Sequence, residues 1–228
     1  AEQVDTLIQN HYNDASAEHT VQPGIVYISF PTESGTLYSK QELTELYAVC
    51  QTHNIPLFID GARLGYGLMA KNNDVTFEDI ANLCDVFYIG GTKVGALFGE
   101  CIVILNDLYK KDFRYSIKQH GGMLAKGRML GIQFEELFKD NRYLTISKHA
   151  IDMADILTEG FQSKGYSFFF PAETNQLFPI FENTKLKELS QEFAFTPWIK
   201  IDETHTAVRF VTSFATKRKN VEYLLTKI

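Results

Sequence analysis

The stretch PLFIDGARLGYG, residues 56–67, decides how this chain is read. Leu57, Phe58 and Ile59 form an apolar run of the length of a buried strand, and the run ends on a carboxylate, Asp60. Gly61 and Ala62 follow, and then a guanidinium, Arg63. A strand that closes on such a pair puts ionisable groups at the carboxyl edge of its sheet, where ligands of open α/β sheets collect. The ordinary alternative is that Asp60 only caps a following helix and that Arg63 faces solvent.

Upstream, Val4, Leu7, Ile8 and His11 recur at helical spacing, and GIVYISF (24–30) reads as a strand. Ser39 with Glu42 three residues on is a capping-box pattern, opening a helix whose apolar face is Leu43, Leu46, Tyr47 and Cys50. Downstream, Thr76 and Asp79 start a short helix through about Leu83, and DVFYIGG (85–91) is a third strand. This alternation implies parallel strands with helical crossovers. ECIVIL (100–105) follows too closely for a crossover, so a fourth strand there runs antiparallel.

Long helices are expected over 122–139 and 142–163. Beyond Gly165, strands at YSFFF (166–170), QLFPIF (176–181) and TAVRFVT (206–212) interleave with helices near 184–193 and 216–227. The expected fold class is α/β, a mostly parallel sheet in residues 1–140, with a linker helix and a smaller α+β domain in residues 141–228.

At 228 residues and 45% hydrophobic, the chain carries ample material for a core, and a net charge of −6 argues against a nucleic-acid surface. Cys50, Cys84 and Cys101 lack CxxC spacing, so neither a disulfide framework nor a metal site is indicated; reduced thiols in a cytoplasmic protein are the simplest account. No apolar run approaches the roughly 18 residues of a membrane span. The start has no Met and lies already inside a helical pattern, which reads as the interior of a longer protein.

The third strand delivers Lys93 in YIGGTKVGALFG (88–99). A lysine at a strand end among apolar neighbours is expected to be partly desolvated, which favours the neutral amine that attacks a carbonyl. Gly90, Gly91, Gly95 and Gly99 let the backbone turn sharply or approach a ligand, and Thr92 offers a hydroxyl and an amide to a phosphate. Asp60 belongs at the same sheet edge, so the pair matches pyridoxal phosphate: a carboxylate for the ring nitrogen and an amine for the aldehyde. A solvent-reaching loop lysine is the ordinary alternative for Lys93.

PTESGTLYS (31–39), PLFIDGARLGYG, FYIGGTKVGALFGE (87–100), KQHGGMLAKGR (118–128) and TAVRFVTS (206–213) stand in an order that resembles the fold-type I pyridoxal-phosphate enzymes of the threonine aldolase and β-eliminating lyase family. The resemblance implies that Asp60 pairs with the pyridine nitrogen and that Lys93 holds the cofactor as an imine, with Arg63 and Thr92 beside it. It implies a carboxylate clamp at Arg209, aided by Arg63, and places His19 near the substrate side chain as the group managing the β-hydroxyl proton. His120 and His205 are secondary candidates whose ordinary reading is structural.

The implied activity is cleavage of a β-hydroxy amino acid to glycine and an aldehyde, in a homodimer or homotetramer. Asp60, Lys93 and Arg209 would equally serve β-elimination or transamination. The family's N-terminal portion, with its phosphate loop and ring-stacking residue, is not present in this sequence, so the chain resembles the C-terminal two-thirds of such an enzyme. It is expected to be a piece of a longer enzyme, or a silent fragment retaining a dimerisation surface. Thr92 and Val94 flank Lys93 where many threonine aldolases have serine and glycine.

Overall fold

Two capping boxes fix helix starts: in each, a Ser or Thr hydroxyl accepts the amide of the third helical residue, whose carboxylate accepts the cap's own N–H. Ser39 and Glu42 do this for one helix, Thr76 and Asp79 for another. The computed structural model describes residues 1–228. The N-terminal part runs α1 (Glu2–Asn13), β1 (Val26–Ser29), α2 (Lys40–Thr52), β2 (Leu57–Asp60), α3 (Leu64–Leu68), α4 (Phe77–Asn82), β3 (Val86–Ile89) and β4 (Cys101–Ile104). Helices α5 (Phe113–Gln119), α6 (Arg128–Phe138) and α7 (Arg142–Ser163) follow. The remainder is β5 (Gln176–Leu177), β6 (Ile180–Glu182), α8 (Asn183–Leu189), β7 (Thr196–Lys200), β8 (His205–Val211) and α9 (Arg218–Lys227).

The first sheet has the order β1-β2-β3-β4, with β1, β2 and β3 parallel and β4 antiparallel, as its short connection requires. Leu57, Ile59, Phe87 and Ile89 point one way and are buried with Leu43, Leu46 and Cys50 of α2, Ile80 of α4 and Tyr143 and Ala150 of α7. The alternate residues, Tyr27, Phe58 and Tyr88, form an aromatic row on the other face, Tyr27 and Phe58 stacked at 5.2 Å. A second sheet is wholly antiparallel, with β8 central and β5, β6 and β7 paired to it. Its core contains Phe161, Phe181, Val208 and Phe210. Helix α7 contributes to both cores, Ala150 and Ile151 to the first and Met153, Ala154 and Leu157 to the second.

Several expectations need correction. The helix expected from 122 begins only at Arg128, and α5 lies before it, because Gly121 takes a positive φ of 75° and separates the two. YSFFF is not a strand; Phe168 alone bridges to Pro179. QLFPIF divides into β5 and β6 around Phe178 and Pro179, since proline has no amide for the ladder. Strand β7 is exposed along its whole length and so lacks the apolar alternation that reveals a strand.

The strand ends of β2 and β3 approach so closely that only glycine fits. A Cβ on Gly61 would lie 1.9 Å from the Tyr88 carbonyl oxygen, and one on Gly90 2.2 Å from that of Ala62. Gly61→Ala is therefore expected to destabilise the chain by about 1–3 kcal/mol, the usual cost of overpacking, as a lower urea midpoint. Gly131→Ala, on α6 with open space around it, is expected to leave stability unchanged or raise it by up to about 1 kcal/mol.

Candidate active site

Parallel register brings three loops to one edge of the sheet. Ser29 pairs with Asp60, so the segments leaving β1, β2 and β3 begin side by side, and they carry Glu33, Arg63 and Lys93 respectively. The β2 and β3 exits are locked together by the Gly90 amide, which donates to the Gly61 carbonyl at 2.8 Å. From α7, the buried Tyr143 hydroxyl donates to the Gly90 carbonyl at 3.0 Å and accepts the Gly65 amide at 3.1 Å. Burial pushes that phenol's pKa up, keeping it a donor.

Asp60 accepts hydrogen bonds from the hydroxyls of Tyr27 and Tyr88, one on each neighbouring strand, and from the Ala62 amide at 2.9 Å. Burial works to raise its pKa, but the two phenols, the amide and the charge of Lys93 together hold it below the usual 3.8. The carboxylate is thus ionised and fixed in orientation. Burial, reinforced by Asp60, pushes Tyr27 up to about 12. Tyr88 shifts in the same direction for the same causes.

Lys93 sits in a single 3-10 turn, Thr92–Val94, that ends where Gly95 adopts φ 106°. The Tyr66 hydroxyl of α3 donates to the Lys93 carbonyl, fixing the turn from below. The expected desolvation of Lys93 is not found: Lys93 and Thr92 are both exposed, because the turn projects from the strand end into an open cavity. That cavity, about 340 Å³, is lined by Arg63, Tyr66, Thr92, Lys93, Asn175, Gln176, Arg209 and residues 211–214. Four of the six residues singled out from sequence, Arg63, Thr92, Lys93 and Arg209, share its wall, and the charge of Lys93 acts on the fifth, Asp60.

The sixth, His19, stands exposed on another 3-10 turn, 4.0 Å from Glu18, and does not line the cavity. His120 is exposed and bonded to the Ser116 carbonyl at 2.8 Å, and His205 pairs with Asp202 at 3.0 Å. Three buried polar atoms lack any partner, Arg209 Nε, Asn175 Oδ1 and Gln176 Oε1, and all belong to residues of this cavity. One unpaired donor and two unpaired acceptors fit a ligand that brings both a carboxylate and N–H groups. Glu33, which carried no role on sequence grounds, forms an ion pair with Arg63 at 2.7 Å. Its signal was present in PTESGTLYS, whose turn leaves β1 at the same edge.

The sequence profile of the beta-eliminating lyases matches residues 3–184. The chain belongs to the beta-eliminating lyase family. The chain is similar in structure to a threonine aldolase from Leishmania major, with a TM-score of 0.93 and 43% identity over 98% of this chain and 64% of that one. It is 32% identical to a low-specificity L-threonine aldolase of Pseudomonas aeruginosa over 70% of this chain and 46% of the relative. With another from a Pseudomonas species it is 30% identical over 92% of this chain and 60% of that protein. The chain thus spans about half to two-thirds of the length of these proteins. No helix is long and apolar enough to cross a membrane.

The geometry at Asp60 yields a pH prediction. A carboxylate whose folded pKa lies below its unfolded value stabilises the fold above the unfolded value, and that stability is lost as pH falls through the folded one. For Asp60 that window lies below pH 3.8. Tyr88→Phe removes one donor while burial persists, so the Asp60 carboxyl is expected to titrate at higher pH, and acid unfolding to begin earlier. Carbon-13 NMR titration of labelled aspartate reads this directly; an unchanged Asp60 titration in Tyr88→Phe would contradict the assignment.

Proposed function

We propose that this chain carries the catalytic lysine face of a pyridoxal-phosphate lyase of threonine-aldolase type, cleaving a β-hydroxy amino acid to glycine and an aldehyde. The observation that supports this most is the convergence of Lys93, Arg63 and Arg209 on one cavity, beside an ionised and oriented Asp60. The residues present fit the cofactor. The Lys93 amine stands free at the cavity wall for an aldehyde, and Asp60 keeps acceptor capacity on Oδ2, which takes only the Tyr27 hydroxyl. When bound, pyridoxal phosphate supplies a conjugated ring that takes up the electron pair released at the substrate's Cα.

This chain's own residues do the rest. Asp60, kept ionised, would hold the cofactor's ring nitrogen in its protonated form by charge and hydrogen bond. Arg209, whose Nε is buried and unpaired, takes the substrate carboxylate in its planar fork; its guanidinium lies over the Trp198 ring, 5.7 Å from the centroid. Binding there orients the amino acid so that the Cα–Cβ bond is the one presented for cleavage. Thr92, exposed beside Lys93, offers its hydroxyl to an anionic group. The β-hydroxyl proton passes to water in this reading, since His19 stands outside the cavity. The unit of assembly is two or four copies, a reading supported by the exposed Leu97, Leu108, Leu124 and Met129.

Product analysis on threonine tests the proposal, using the whole protein supplied with pyridoxal phosphate. Glycine and acetaldehyde are expected; a keto acid with ammonia, or amino transfer to a keto acid, would contradict it. Lys93→Ala is expected to abolish turnover. Arg209→Ala is expected to raise KM for the amino acid by the equivalent of about 1.5–3 kcal/mol, the range for hydrogen bonds to charged groups.

A further inference from the structure

The second sheet divides its residues between a core and a cavity. Leu177 of β5 pairs with Phe210 of β8, and both enter the second core. Gln176 pairs with Val211, so their side chains share the opposite face, and Arg209, two residues from Val211, shares it too. All three line the cavity that holds Lys93. Gln176 is thus the diagonal neighbour of the guanidinium read above as the carboxylate clamp.

Gln176 is fully buried, and its side-chain amide can point only one way. Nε2 lies 3.0 Å from the Glu33 backbone carbonyl, which accepts and never donates, so the nitrogen faces that loop and Oε1 points elsewhere. The loop is held against it: Gly35, at φ 78°, packs so closely that a Cβ there would stand 2.6 Å from the Gln176 backbone oxygen, and the Thr174 hydroxyl donates to the Gly35 carbonyl at 2.9 Å. Oε1 has no partner. A buried amide oxygen without a donor costs free energy that a donor on a ligand recovers.

A β-hydroxy amino acid whose carboxylate lies on Arg209 brings two donors, its amine and its hydroxyl. The amine is the group that reacts with the cofactor's aldehyde, which leaves the hydroxyl for Oε1. We propose that Gln176 is a specificity-determining residue: its Oε1 accepts a hydrogen bond from the hydroxyl of the substrate side chain, so that the cavity prefers amino acids with a β-hydroxyl to those with a plain alkyl chain. The inference rests on the reading of this cavity as an amino-acid site. An amide oxygen is too weak a base to take the proton, so Gln176 orients the hydroxyl and water receives the proton. An analogue without the hydroxyl fills the cavity but leaves Oε1 unpaired, which is how a polar site rejects an apolar look-alike.

The experiment uses the whole protein loaded with pyridoxal phosphate, whose absorbance changes on amino-acid binding, mixed rapidly so that dissociation constants are read before turnover. The ligands are L-threonine and L-2-aminobutyrate, which is threonine without its hydroxyl. Wild type is compared with Gln176→Met and Gln176→Glu, with circular dichroism to confirm folding. Both variants lose the donor to the Glu33 carbonyl, but only Gln176→Glu keeps an acceptor at the same reach. Wild type is expected to prefer threonine by roughly tenfold, as one hydrogen bond whose loss strands a buried acceptor allows. Gln176→Met is expected to bind the two ligands about equally, and Gln176→Glu to bind both more weakly while keeping the preference.

Equal binding of the two ligands by wild type would overturn the role of Gln176 without any variant. So would a preference that survives in Gln176→Met, or one that disappears from both variants alike. In each of these cases amino acids still bind, and the reading of the cavity stands. Failure of wild type to take up pyridoxal phosphate, or to bind either ligand once loaded, would remove the site reading itself, and the role of Gln176 with it.

Discussion

Everything at the candidate site depends on how closely two strand ends approach. The Gly90 amide reaches the Gly61 carbonyl at 2.8 Å, in a space where a Cβ on either glycine would collide with backbone. That contact extends the parallel pairing of β2 and β3 past Asp60, so Arg63 and Lys93 leave the sheet together. Tyr143 then ties both exits to α7, the helix that also enters the second core. The position of Arg209 relative to Lys93 follows from this chain of rigid contacts, because β8 packs in the core that α7 shares.

The electrostatics have the same economy. Partial burial of a carboxylate beside an aromatic row works toward its neutral form. Asp60 stays ionised because its cross-strand neighbours are tyrosines whose hydroxyls aim at it, while local desolvation and the charge of Asp60 keep those phenols protonated and therefore donors. The loop carboxylate Glu33 partly offsets the positive cavity. Two acids thus divide two tasks, one fixed within the sheet and one on a turn at its rim.

Much of this was legible in the sequence, and for identifiable reasons. The strands around Asp60 and before Lys93 announce themselves because they are apolar and end in glycine, and the capping boxes mark α2 and α4 from local chemistry alone. The antiparallel turn of β4 follows from loop length. The two tyrosines on Asp60 were not legible, since Tyr27 and Tyr88 reach it only through strand pairing across more than twenty residues. Glu33 resembles any exposed loop acid until the parallel register places it beside Arg63. Strand β7 lacks a buried face, and Lys93 proved exposed because glycines around a turn open the surface instead of enclosing the side chain.

If Asp60 and Lys93 form one cofactor site, borohydride reduction traps the cofactor on that lysine alone. Protein incubated with pyridoxal phosphate is reduced, digested and mapped by mass spectrometry. One dominant reduced adduct is expected, on Lys93, lost when Asp60 is replaced by alanine or when the protein is denatured first. Adducts scattered over surface lysines, or labelling of Lys93 indifferent to Asp60 and to folding, would contradict it.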